Sequence, residues 1–253
     1  MTLEGFTLRL LLISLCGAGL FIVVEMNNPA PLIRLSLFAD LRLSGSLALT
    51  LLVTTVMMTT LVVGPFYLSR GLSLSPTVVG LVLSVGPLLA ALGGVPAGRL
   101  VDRFGAPRVV PGALLGMVCG CGLLALLPMS FGLPAYVLPM TVIAGSYALF
   151  QAANNTGLMA AVSQDQRGVV SALLGLARNL GLITGAAAMG AVFAVATGNP
   201  TQAPAAVIGS GMHITFGVGT ALMVMALIIS RMQINDRSEP ARDGVGSAKT
   251  TGD

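Results

Sequence analysis

Residues Gly98–Arg108, GRLVDRFGAPR, carry four charged side chains and two glycines in a chain of 253 residues of which only 9% are charged. Apolar runs flank this island on both sides. Charges are expelled from hydrocarbon, so a polar cluster between two greasy stretches marks a water-facing boundary where two membrane-length segments meet. The rest of the chain fits that reading: 55% of residues are hydrophobic and the mean hydropathy is +0.93. About twenty apolar residues cross a bilayer as a helix. Lipid offers the backbone no hydrogen-bond partners, which leaves only helices or a closed barrel. Long unbroken apolar runs, without the alternation of barrel strands, select helices. The fold class is therefore all-α, a polytopic helical membrane protein.

Working outward from the island, the hydropathy pattern predicts seven spans, at roughly 6–24, 46–68, 76–97, 109–129, 134–157, 169–196 and 207–230. An odd number puts the termini on opposite faces. With the carboxyl tail on one side, that side collects Arg34, Arg42, Arg99, Arg103, Arg108, Arg167, Arg231, Arg237, Arg242 and Lys249, against Arg70 and Arg9 on the other. The positive-inside rule then predicts a cytoplasmic tail and an external amino terminus in the plasma (inner) membrane. Residues 1–24 are expected to hold the first span, since no convincing cleavage site follows the apolar run. Residues 25–45 are expected to form a cytoplasmic amphipathic connector, with Pro29 and Pro31 ending the first span and Leu32, Leu35, Phe38 and Leu41 at helical spacing. Residues 46–230 form the main helical body, and 231–253, lacking apolar periodicity, are expected to be a disordered cytoplasmic tail.

Several function classes fall away. The formal net charge is +4, but the arginines are scattered between apolar runs, without the basic cluster that nucleic-acid binding requires. Cys16, Cys119 and Cys121 all lie in apolar runs and read as packing or lipid-facing residues. No HExxH pair, glycine-framed nucleophile or buried carboxylate pair is present, so the chain is not expected to be an enzyme or to hold a metal or organic cofactor.

Within the island, Gly98 and Gly105 allow close helix approach and a turn with positive φ, while Asp102 and three arginines gather opposite charges at the headgroup boundary. Two readings stand: a short solvated loop, or a latch between helix bundles. The spacing Gly98, Leu100, Asp102, Arg103, Gly105, Arg108 resembles the charged-loop signature of the major facilitator superfamily, departing from it at Ala106 and Pro107, where the family has a basic residue directly after the glycine. Residues Leu149–Ala187, with Phe-Gln and an Asn pair, then Gln-Arg-Gly, then Arg-Asn-Leu-Gly, are similar to a stretch near the end of fourteen-helix drug:proton antiporters of that superfamily. The resemblance implies one helix of the central insert followed by the carboxyl-terminal six-helix bundle. It further implies a proton gradient as energy source, small amphipathic or hydrophobic substrates, and an amino-terminal transporter half as partner.

Polar residues inside spans need a partner or a role. Gln151, Asn154 and Asn155 fall at i, i+3 and i+4 and share one helix face. They are candidates for a substrate cavity, or for bonds to a neighbouring helix. Arg178 lies about ten residues into its span, which sets it near mid-depth facing a cavity; the apolar window from Leu180 to Ala196 equally allows it to snorkel at the boundary. Asn179 shares that choice. His213 reads as a hydrogen-bonded packing residue, and the glycines at 112, 116 and 120 and at 181 and 185 as close helix crossings. Gly64-Pro65 and Gly86-Pro87 read as bends. No Asp or Glu falls inside a span. The expected function is a proton-coupled multidrug efflux transporter present as a carboxyl-terminal half; the alternatives are a seven-helix membrane receptor and a non-transporting membrane subunit.

Overall fold

Helix is the regular structure of the computed structural model, which describes residues 40–235 and, ahead of them, helical positions at 12–14, 16, 17, 19, 20, 23 and 24. The chain forms two compact units, residues 1–44 and 45–253. Among the described residues, six helices are long and apolar enough to cross a membrane: α1 Leu41–Gly71, α2 Pro76–Phe104, α3 Ala106–Leu126, α4 Pro134–Ala161, α5 Arg167–Thr197 and α6 Ala205–Gln233. The expected span at 6–24 lies largely outside the described residues, and so does the expected connector from 25 to 39. The expected tail lies outside them from residue 236.

Several boundaries differ from the sequence reading. Helix α1 starts five residues early because Asp40 caps it: the Asp40 carboxylate accepts the Arg42 N–H at 2.8 Å, and the Asp40 carbonyl accepts the Ser44 N–H at 3.0 Å. Leu41 therefore belongs to the long helix and not to a surface segment. Helix α2 begins with Pro76 at its first turn, where a missing N–H costs nothing, and it runs on to Phe104. The charged island is thus mostly the last turns of a helix, and the connection to α3 is the single residue Gly105 at φ 78. Helix α6 continues to Asn235, past the expected end at 230.

Neither internal proline region breaks a span. Helix α2 passes through Pro87 and Pro96. After Pro65, α1 finishes in a π-helical turn, Tyr67–Gly71, and a second π turn, Gly185–Met189, interrupts α5. Such turns absorb one extra residue where the regular ladder is disturbed.

Packing places α3 between α4 and α6, α2 against α4, and α5 against α6. Val53, Val56, Met117, Phe150, Phe216 and Met223 fill the shared core. Glycines set two of the crossings. A Cβ at Gly116 would meet the Ser146 side chain, and one at Gly120 would meet Ile143 and the Pro139 carbonyl, so α3 lies directly on α4. Gly181 and Gly185 bring α5 onto the backbone of α1 at Leu51 and Thr55. Gly112, which shares the four-residue repeat, faces open space. The repeat marks a face, but only part of that face is in contact.

Candidate functional site

One end of the bundle is defined by Val101 of α2, Val109 of α3 and Ala153 of α4, which pack together. Gly98–Arg108 projects from that end. Gly98, Asp102 and Arg103 are on α2, Gly105 is the joint, and Arg108 is in the first turn of α3. Asp102, Arg99, Arg103 and Arg108 are all exposed, and Asp102 forms no ion pair among the described residues. The expected grouping of opposite charges is therefore spatial proximity without pairing. Arg103 directly follows Asp102 and points to a different side of the helix, where its guanidinium lies 5.3 Å from the centre of the Phe104 ring. Gly98 has no neighbour near its Cβ position. The carboxylate of Asp102 is exposed at that end of the bundle.

Deeper along the helices is a polar layer. Along α5, Arg178 lies four residues from the helix midpoint, about 6 Å at 1.5 Å per residue. Gln151 lies at a similar depth on α4, about 5 Å from its midpoint. The two meet: Arg178 Nη2 donates to Gln151 Oε1 at 3.0 Å, and Gln151 Nε2 donates to the Tyr147 hydroxyl at 2.6 Å. Arg178 is thus bonded across helices, from α5 to α4.

Asn154 serves a different purpose. It is 4% exposed, and its Nδ2 donates to Thr50 Oγ1 at 3.0 Å and to the Ser46 carbonyl at 3.4 Å, tying α4 to α1. Asn155 is half-buried, with no side-chain hydrogen bond among the described residues. Asn179 is exposed on the outer side of α5, one position round from Arg178. The candidate group thus separates into a linked pair, Gln151 and Arg178, a structural clamp, Asn154, and two residues outside both, Asn155 and Asn179. His213 also has a structural partner, the Leu127 carbonyl at 3.0 Å from Nε2.

Sequence reasoning missed Tyr147, Thr50 and Thr55. Tyr147 is one helical turn before Gln151, a spacing that could have suggested the bond. Thr50, Thr54, Thr55 and Thr59 are buried along α1, and most bond their own backbone one turn back, which satisfies the hydroxyls without a partner helix. Thr55 is the exception, donating to the Gly181 carbonyl at 3.1 Å across the α1–α5 crossing.

The family model described as Major Facilitator Superfamily matches residues 45–250. Among curated relatives, "Uncharacterized transporter YebQ" of Escherichia coli is 27% identical over 91% of this chain and 49% of its own length. "Drug efflux pump JefA" of Mycobacterium tuberculosis is 28% identical over 75% of this chain and 37% of its own. "Riboflavin transporter RibZ" of Clostridioides difficile is 29% identical over 51% of this chain and 28% of its own. The chain spans at most about half the length of these relatives.

Proposed function

We propose, for a chain that belongs to the Major Facilitator Superfamily, that it is one six-helix bundle of a two-bundle, proton-coupled exporter of small amphipathic or hydrophobic compounds. Membership sets aside the seven-helix receptor reading, because members of this family are transporters. The second bundle, on the same polypeptide or another, supplies the surface against which this one rocks. In this reading the Gly98–Arg108 end and the carboxyl terminus face the cytoplasm, which the arginine distribution supports.

The observation that carries the reading is the state of Asp102. A carboxylate at the end of a transmembrane helix, exposed and unpaired within its own bundle, is set to bond a partner bundle. Such a contact holds one state of a rocking carrier and is released in the other. Efflux as the direction is supported by the relatives named as drug pumps. Proton coupling needs an acid in or near the membrane. Among the described residues Asp40, Asp102 and Asp165 all lie at the ends of spans, and in this reading the coupling carboxylate lies on the second bundle.

The test is complementation. The chain is co-expressed in an efflux-deficient bacterium with the half of YebQ that it does not match, and ethidium efflux is followed with and without a protonophore. Restored, protonophore-sensitive efflux that falls about tenfold or more in Asp102→Asn is the expected outcome, a loss on the scale of one charge-assisted hydrogen bond. Efflux indifferent to that substitution removes the latch, and efflux indifferent to the protonophore removes the coupling.

A further inference from the structure

The Arg178 cluster is poor in acceptors. Gln151 is fully oriented, its carbonyl taken by Arg178 and its amide donating to Tyr147. Because the Tyr147 oxygen accepts that bond, its own O–H is left to donate outward. Arg178 Nε is buried with no hydrogen-bond partner, and of the guanidinium's five N–H protons only one is engaged among the described residues. What is uncommitted here is mostly donor.

The charge is also uncompensated. A guanidinium about 6 Å from the midpoint of a spanning helix is costly unless a counter-charge accompanies it. Arg178 makes no ion pair among the described residues, and Asp40, Asp102 and Asp165 are in or beyond the end turns of the spans. The Asn154 side chain is turned to α1, where its Nδ2 donates to Thr50 and Ser46. A forked cation with one N–H engaged and no counter-charge among the described residues, beside a free hydroxyl, matches the geometry of a carboxylate, sulfonate or phosphate.

We propose that Arg178, positioned by Gln151 and assisted by Tyr147, binds an oxyanion in the membrane interior during the transport cycle. This rests on the two-bundle transporter reading and specifies one chemical group at its site. The oxyanion has two sources, an acidic group on the substrate or a carboxylate of the second bundle, and two arms of one experiment separate them. In the first, the purified chain in phosphatidylcholine nanodiscs is titrated with anilinonaphthalene sulfonate and with its uncharged parent, phenylnaphthylamine, empty nanodiscs being subtracted. An oxyanion from the substrate gives a preference for the sulfonate of about tenfold, the worth of a charged hydrogen-bonded pair. Arg178→Gln abolishes the preference without changing binding of the parent, Arg178→Lys keeps part of it, and Tyr147→Phe, which removes one hydroxyl and leaves the packing intact, lowers it by about threefold.

The second arm measures co-purification of the chain with the unmatched half of YebQ. An oxyanion from that half gives no sulfonate preference in the isolated chain, while Arg178→Gln weakens co-purification and Arg178→Lys restores it. If neither sulfonate preference nor co-purification depends on Arg178, the oxyanion site is overturned. Ethidium efflux reports independently on the transporter reading: efflux with neither sulfonate preference nor Arg178-dependent co-purification sinks the site alone, whereas sulfonate preference without efflux sinks the pump alone.

Discussion

Helices α1 and α2 have nearly the same mean hydropathy, yet 56% of the most apolar window of α1 is buried inside the bundle and only 11% of that of α2. Helix α1 is held by α4 through Asn154 and by α5 through two glycines and the Thr55 hydroxyl. Helix α2 exposes Leu81, Leu88, Leu92 and Val95, touching mainly α4. In water such a difference would show in the sequence as an apolar stripe on one helix and an apolar girth on the other. In lipid the outward face is as greasy as the inward one, so small residues and polar bonds carry the packing information.

The contrast between the two helices can be broken by substitution, and the largest effect is expected at Gly181. Leucine there would collide with the Leu51 backbone and with Thr54, so Gly181→Leu should destabilise the bundle by about 3 kcal/mol or prevent its assembly. Thermal unfolding in detergent, read by circular dichroism, checks this; an unchanged midpoint would mean that α5 does not lie on α1. Asn154→Leu is expected to cost less, about 1 kcal/mol, because interhelical hydrogen bonds in membranes are individually modest. The same melt measures it, and Thr50→Val should add little once Asn154 is gone, since the two share one bond. The smallest effect belongs to α2. Gly94 has open space at its Cβ position, so Gly94→Ala should leave stability within about 0.5 kcal/mol or raise it slightly through helix propensity. A large loss at Gly94 would show that α2 is enclosed by its own bundle and would erase the distinction.

What could be read from the sequence follows the same division. The helical class and the site of the α2–α3 connection followed from the polar island, because charge and hydrocarbon separate regardless of what a helix packs against. The positive φ of Gly105 followed from its residue type beside a helix end. The continuation of α2 through Arg99 and Asp102 did not, since a solvated helix end and a loop have the same composition. Gly116 and Gly120 could not be told from Gly112, because only the position of α4 decides which of the three is covered. The partner of Asn154 lies 104 residues away on α1, and no local spacing carries that information. Arg178 was ambiguous because the window after it is itself long enough to span, and its partner Gln151 lies 27 residues away on another helix.

Gly105 also has a mechanical consequence. Two backbone torsions are all that separate the last residue of α2 from the first of α3, and the N–H of Gly105 is itself tied to the Val101 carbonyl at 2.8 Å. A joint this short has almost no slack. A displacement of the α2 end along its axis is therefore shared by the start of α3, which sits against α4 and α6, while rotation about the joint stays open to the two torsions of the glycine.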